Sequence, residues 1–315
     1  AIGIPFTATT SVAVSLAQGA RDAQVQAYVR QLLQPAARLL LIGSLLLAGY
    51  NAVGAVTGQI ASLIFAAIVA VYLVRRSLPS FDVAPTPMYR SVLAFSLPLI
   101  AVQGMGFLNT NVDIYMVGYF LESASLGVYN IALQLGNVVT AILGTAGFLL
   151  PPMMTRLQQR GRKTEMRRTF QVLTKWMVII ILPIFVVLFF APNLIIGLLF
   201  GQSYTSGSIA LQLLLVGNLI GIFMGLNTSA LIALGSNRVV SYIVFCQTLI
   251  NVAVNYTLIP IIGIEGAAIG MATSAIIGDI LGVAILYRRY GVHPFTRSVL
   301  SPVVAVVGIG GLAYG

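Results

Sequence analysis

Apolar stretches of about 18 residues or more recur along the whole of this 315-residue chain, each long enough to cross a ~30 Å hydrocarbon core as a helix. Inside lipid every backbone amide must be bonded within its own segment, so these stretches are helices rather than open strands. Hydropathy places them near 3–20, 31–50, 55–74, 91–116, 124–150, 172–191, 208–234, 239–259, 266–287 and 298–315. The expected fold class is therefore all-α: a polytopic membrane protein with about ten transmembrane helices. Composition agrees, with 58% hydrophobic residues, 8% charged residues and a mean hydropathy of +0.98.

The intervening loops alternate in charge. One set, around 21–30, 75–90, 151–171, 235–238 and 288–297, carries Arg21, Arg30, Arg75, Arg76, Arg90, Arg156, Arg160, Arg162, Lys163, Arg167, Arg168, Arg238, Arg288, Arg289 and Arg297. Arg38 and Lys175 lie in the first halves of spans that leave the same side. The other set, at 51–54, 117–123, 192–207 and 260–265, has no basic residue and only Glu122 and Glu265. The basic set is cytoplasmic by the positive-inside rule, which places the chain in the cytoplasmic membrane. The net charge of +10 thus reports topology and implies no nucleic-acid partner. A basic amphipathic loop from Thr155 to Trp176 is expected on anionic headgroups. The one cysteine, Cys246, and the one histidine, His293, build neither a disulfide framework nor a metal site, and no cofactor is implied.

The chain opens on Ala1 with a span whose outer end leads, and its last span stops at Gly315. This reads as an internal piece of a longer polytopic protein, with an odd number of helices upstream if the N-terminus is cytoplasmic.

Segments 54–76 and 266–288 match at an offset of 212 residues. Gly54, Ala55, Gly58, Ser62, Ile64, Ile68, Val71 and Arg76 are identical to Gly266, Ala267, Gly270, Ser274, Ile276, Ile280, Val283 and Arg288. Both carry a small residue at every fourth position: Gly54, Gly58, Ser62, Ala66 and Ala70 in one, Gly266, Gly270, Ser274, Gly278 and Gly282 in the other. Such a ridge admits a neighbouring helix closely. Repeated helices of the same orientation indicate a parallel repeat of two lobes, the first incomplete. The expected organisation is 1–76 as the last three helices of an N-terminal lobe, 77–90 as a Pro-rich cytoplasmic linker, 91–290 as a six-helix lobe, and 291–315 as the start of extra C-terminal helices.

The runs RSVLAFSLPLI (90–100) and FLNTNVDIYMVGYFLESASLGVYNIA (107–132), the Pro-Pro exit PPMMTRL (151–157), the LLFGQSY turn (198–204) and ALGSNRVVSYIVFCQTLINVAVNYTLIPIIGIEGAAIG (233–270) carry a resemblance. The chain resembles Wzx-type polysaccharide-biosynthesis flippases of the multidrug/oligosaccharidyl-lipid/polysaccharide exporter superfamily, from the family's fourth to its thirteenth helix of fourteen. The resemblance implies two six-helix lobes forming a V around a cavity open alternately to either side. It implies transport of polyprenyl-linked oligosaccharide from the cytoplasmic to the outer leaflet, for cell-surface polysaccharide or glycoprotein biosynthesis. Its partners would be that lipid-linked substrate, membrane lipids and glycan-assembly membrane proteins. Family members often have a basic residue directly after the Asp of this motif, whereas Asp113 is followed by Ile114, so the resemblance does not extend to a charge pair there.

A flippase needs a wet, polar seam for a sugar and a phosphate headgroup, because each unpaired polar group in lipid costs several kcal/mol. Arg38 is the leading cationic candidate: twelve residues, Leu39 to Tyr50, separate it from the outer loop, about 18 Å of helix. Arg30, Gln34 and Arg38 share one stripe at four-residue spacing; the alternative is that Arg38 snorkels, eased by Pro35. Arg90 is a further cavity candidate, or an interfacial anchor. Asp113, near Asn109 and Asn111, reads equally as a proton or cation site and as an interfacial carboxylate. Asp279 lies near mid-depth and has Ala67 as its repeat partner, so packing alone does not call for its charge. Gln247, Asn251 and Asn255 form a polar face that either lines a sugar cavity or hydrogen-bonds between helices. Gln103, Gln134, Asn137, Asn218 and Asn227 add amides on other spans, and the tyrosines near span ends read as interfacial belts.

The nearest rival function is a cation-coupled drug or metabolite exporter of the same superfamily. A membrane glycosyltransferase or polymerase would need acidic residues or His in sizeable outer loops. No general acid/base pair, triad or metal cluster is visible, so an enzyme is not expected.

Overall fold

The computed structural model describes residues 3–19, 27–77 and 89–296. The described residues are mostly helical, with no strand among them. The elements are α1 (Ile4–Gly19), a π-helical turn (Ala27–Leu33) running into α2 (Gln34–Leu47), α3 (Asn51–Ser77), α4 (Tyr89–Phe120), α5 (Ser123–Gln159), α6 (Lys163–Phe190), α7 (Pro192–Leu199), a 3-10 turn (Gln202–Gly207), α8 (Ser208–Met224), α9 (Asn227–Ala233), α10 (Asn237–Ile262) and α11 (Ile264–Tyr290). Among the described residues, five segments are long and apolar enough to cross a membrane: Val53–Arg76, Lys163–Phe190, Gln202–Met224, Asn237–Ile262 and Ile264–Tyr290. Large apolar side chains such as Leu47, Tyr119, Leu198 and Ile261 stand exposed around them. A bilayer solvates these as readily as it does its own tails, so helix association must come from close packing and polar contacts.

The chain divides into two compact units, Ala1–Met88 and Tyr89–Gly315. In the first, α3 packs against both α1 and α2. Its small-residue ridge is what α2 approaches: a Cβ on Gly58 would lie 3.0 Å from the Ile42 backbone, and one on Gly54 would lie 3.2 Å from Leu45 Cβ. Ser62, Ala66 and Ala70 continue the ridge and are fully buried.

The second unit repeats this arrangement. Helix α10 lies along α11, and a Cβ on Gly266 would stand 2.6 Å from the Leu258 carbonyl carbon. Leu258 and Asn255 thus meet Gly266 and Gly270 as Leu45 and Ile42 meet Gly54 and Gly58. The apolar core is built by α5, α6, α8 and α11 around Tyr129, Ile181, Leu211, Leu215 and Ala267, all fully buried. A second cluster toward the basic ends holds Leu150, Met154, Phe170, Leu231 and Leu286.

Three expectations are corrected here. The span expected at 208–234 is interrupted at Gly225, whose φ of +72° ends α8. A side chain there would meet Thr174 Oγ1 at 2.6 Å, so both backbone and packing demand glycine. The basic segment Thr155–Trp176 is not a loop: α5 runs to Gln159, α6 starts at Lys163, and only a tight turn at Gly161 (φ +69°) separates them. Its cations therefore sit on exposed helix ends, where Arg162 pairs with Glu165 at 3.0 Å. Tyr129 is 0% exposed and belongs to the bundle core rather than an interfacial belt. The expected span 298–315 and the linker residues 78–88 lie outside the described residues.

Candidate functional site

Helix α4 carries Asp113 one turn after Asn109, on the face turned toward α10. The carboxylate is 1% exposed. Asn251 Nδ2 on α10 donates to its Oδ1 at 3.1 Å, and Tyr129 Oη on α5 donates to its Oδ2 at 3.3 Å. Asn255 Nδ2 in turn donates to Asn251 Oδ1. One turn toward the start of α10, Thr248 Oγ1 donates to Asn109 Oδ1 at 3.0 Å. Donors from two helices, α5 and α10, thus converge on one acidic group of a third, and each bond polarises the next. The only ion pair among the described residues is Arg162–Glu165. Asp113 is held by neutral donors, and Ile114 beside it packs on the apolar core instead of supplying a charge. At the far end of the chain of amides, Asn255 is 0% exposed and its Oδ1 is buried without a hydrogen-bond partner. An orphaned acceptor inside a bundle is rare and costly.

Gln247, Asn251 and Asn255 do share one face, as their spacing requires, and that face is pressed between helices. Asn251 and Asn255 are buried and Gln247 is half-buried. The missing side chains of α11 make the room. A Cβ on Gly270 would collide with Asn255 Oδ1, and one on Gly278 with Gln247 Nε2. The ridge therefore does two jobs, close backbone approach at Gly266 and seating of amide side chains at Gly270 and Gly278.

Asp279, on the same helix, points toward the break between α8 and α9. Asn227 Nδ2, at the first residue of α9, donates to its Oδ1 at 2.9 Å, and Thr228 Oγ1 donates to Asn227 Oδ1 at 3.2 Å. Gly282 gives Asn227 its seat, since a Cβ there would collide with Asn227 Oδ1. A cavity of about 220 Å³ opens at this place, walled by Asp279, Asn227, Thr228, Asn218 and Thr140.

In the first unit, Arg38 is exposed on α2, and its Nε donates to Gln59 Oε1 on α3. The guanidinium has no acidic partner among the described residues. The side chains of Arg30 and Arg90 lie outside the described residues; their backbones fall in the π-helical turn and in the first turn of α4.

Tyr129, Thr248 and Thr140 escaped the sequence reading. Thr248 was within reach of it, standing three residues before Asn251 on the same helical face. Nothing local marks Tyr129, whose partner Asp113 comes from another helix, or Thr140, whose hydroxyl bonds only within its own helix.

Comparison with known proteins gives a consistent set of likenesses. The family model described as "Polysaccharide biosynthesis protein" matches residues 1–209. An uncharacterized membrane protein of Methanocaldococcus jannaschii is 28% identical over 48% of this chain and 30% of its own length. The teichuronic acid biosynthesis protein TuaB of Bacillus subtilis is 24% identical over 49% of this chain and 31% of its own. Among solved structures, the lipid II flippase MurJ in an inward closed conformation superposes with a TM-score of 0.76 at 15% identity, over 98% of this chain and 65% of that one. The MATE transporter VcmN of Vibrio cholerae gives 0.58 at 16% identity, over 89% and 66%. The chain thus spans about a third of those two relatives' length and about two-thirds of the solved transporters, and it shares their fold.

Proposed function

The chain belongs to the polysaccharide biosynthesis protein family, and from that premise we propose that it is the transport body of a flippase for a lipid-linked oligosaccharide. The substrate moves from the cytoplasmic to the outer leaflet of the cytoplasmic membrane by alternating access. Polyprenyl-linked glycan, the surrounding lipids and the membrane enzymes that assemble the glycan are its partners.

One observation carries this reading. Arg38 keeps a permanent charge on a helix otherwise rich in Leu, is steadied by Gln59, and has no acidic partner among the described residues. A guanidinium at membrane depth is costly unless it serves an anion or a wet passage. Its planar fork is suited to the oxygens of a phosphate headgroup. The driving force follows from the same chemistry. With the cell interior negative, each headgroup charge moved outward gains ~2.3 kcal/mol per 100 mV.

Deletion of the gene followed by a leaflet-resolved assay of lipid-linked glycans tests the proposal. Accumulation on the cytoplasmic side is expected; unchanged glycans together with altered drug efflux would replace the proposal with a cation-coupled exporter. Arg38→Ala is expected to impair transport while the protein still inserts, and wild-type transport by that variant would remove Arg38 from the passage.

A further inference from the structure

The internal repeat preserves more than helix packing requires. Gly54, Gly58 and Ser62 and their counterparts lie on the small-residue ridge, but Ile68, Val71 and Arg76, identical to Ile280, Val283 and Arg288, do not. Ile68 is 63% exposed and Ile280 49%, so the bundle interior does not account for either. In the second unit Ile280 and Val283, with Ala284 and Tyr287, floor an apolar groove of about 460 Å³ on α11. Met224, the last residue of α8, walls it together with His293 and Phe295. The His293 ring stands edge-on to Tyr287 with centroids 5.6 Å apart, and Gln171 Nε2 on α6 donates to His293 O at 3.1 Å, which fixes that wall.

The first unit has a groove on the same face of the matching helix. Ile64, Ile68, Val71 and Tyr72 of α3 floor a space of about 460 Å³, Phe6 and Thr9 of α1 wall it, and Arg75 borders it. Helix α1 packs on α3 as α8 packs on α11. Thr9 Oγ1 donates its proton to Pro5 O at 2.8 Å, so it brings no free donor into the groove. Each groove face ends on a cation: Arg76 follows Tyr72, and Arg288 follows Ala284, by one helical turn. Both arginines are exposed, and neither has an ion pair among the described residues. In the second unit Arg167 of α6 lies near enough to His293 to act on it electrostatically.

We propose that each groove seats an acyl chain of an anionic phospholipid, with the phosphate held by Arg288 in the second unit and by Arg75 and Arg76 in the first. The inference rests on the transporter reading for its membrane setting and gives the lipid partners of that reading a place. An exposed apolar groove that ends in guanidinium groups without carboxylate partners matches an apolar tail joined to a phosphate. From Ile280 to Tyr287 the floor runs about 10 Å along the helix, enough for part of one ordinary acyl chain. A transporter carries one substrate, whereas bulk lipid meets both of its halves, so recurrence of the groove favours phospholipid over the carried glycolipid. Neither groove is lined by Arg38, Asp113 or Asp279.

Native mass spectrometry of the purified full-length protein, titrated with dipalmitoyl phosphatidylglycerol, tests this. Dipalmitoyl phosphatidylcholine is the zwitterionic lipid with equal chains, and undecaprenyl phosphate is the single-chain anion. Wild type is expected to retain phosphatidylglycerol in preference to both. Ala284→Trp and Ile68→Trp each fill one groove from an exposed position, and each is expected to remove one retained phosphatidylglycerol. Leu249→Trp, at an exposed position of α10, is the control and should leave retention unchanged. In the Ile68→Trp background, Arg288→Gln is expected to weaken the remaining site about fivefold, what one cation beside an anionic lipid contributes. Wild-type retention in both groove variants overturns the proposal and means that other parts of the chain, or a second copy, cover the grooves. Equal retention of phosphatidylcholine also overturns it. So does tighter retention of undecaprenyl phosphate that Ala284→Trp abolishes, which makes the groove a carrier site. Retention is read without flux: a protein that holds phosphatidylglycerol in these grooves but moves no glycolipid refutes the flippase reading and leaves the grooves standing.

Discussion

Gly270→Ala is the sharpest test of how the second unit is held together. The added methyl group would occupy the place of Asn255 Oδ1, on a side chain that is 0% exposed and has no free direction. Asn255 must swing aside, which breaks its bond to Asn251, the residue that donates to Asp113. Overpacking a filled interior costs about 1–3 kcal/mol, and a lost internal hydrogen bond about 0.5–1.5 kcal/mol more. The two together come to about 1.5–4.5 kcal/mol, and after the ~1 kcal/mol that alanine gains over glycine in a helix the expected destabilisation is about 0.5–3.5 kcal/mol. Gly104→Ala, on α4 with nothing within 4 Å of its added Cβ, is the control and should be neutral or stabilising. Reversible unfolding of detergent-solubilised protein in a denaturant series reads both, and Gly270→Ala/Asn255→Ala completes a double-mutant cycle in which the truncation should relieve the clash. If Gly270→Ala unfolds with Gly104→Ala, the seating of Asn255 on the ridge is wrong.

Gly225→Ala should destabilise by about 1–3 kcal/mol from backbone strain alone, and by more from the contact with Thr174 Oγ1; unfolding equal to wild type would mean that the break tolerates a side chain. His293 follows α11 in a short non-helical segment, where partial burial, and then the Arg167 charge, lower its pKa below 6.5. The folded state therefore binds the proton more weakly than the unfolded chain. Its contribution is fully present above pH 6.5 and is lost as pH falls through the lower folded value, so stability should drop on acidification. His293→Gln should flatten that part of the stability–pH curve, and an unchanged curve would remove His293 as its origin.

How much of this was legible beforehand differs by feature. Runs of apolar residues reveal the helices, because lipid penalises unbonded backbone wherever it occurs. The ridges at 54–70 and 266–282 were equally plain, since a four-residue spacing puts small residues on one face. Gly225 hid its break inside an apolar run because Leu, Ile and Phe on both sides satisfy hydropathy whether or not the helix is continuous. The basic turn at Gly161 was read too loosely because charge and helicity are independent.

The polar site divides in the same way. Gln247, Asn251 and Asn255 had to share a face, and Asp279 had to lie far from either end of its helix, on sequence grounds alone. Which face meets which helix depends on rotation about each axis and on the packing of neighbours, and neither leaves a local mark. Tertiary structure alone joined Asp113 to Asn251 and Tyr129, set the amides of α10 into the glycine gaps of α11, and placed Asp279 at the end of a broken helix. Periodicity fixes the direction of a side chain relative to its own helix; only the assembled bundle decides what stands opposite.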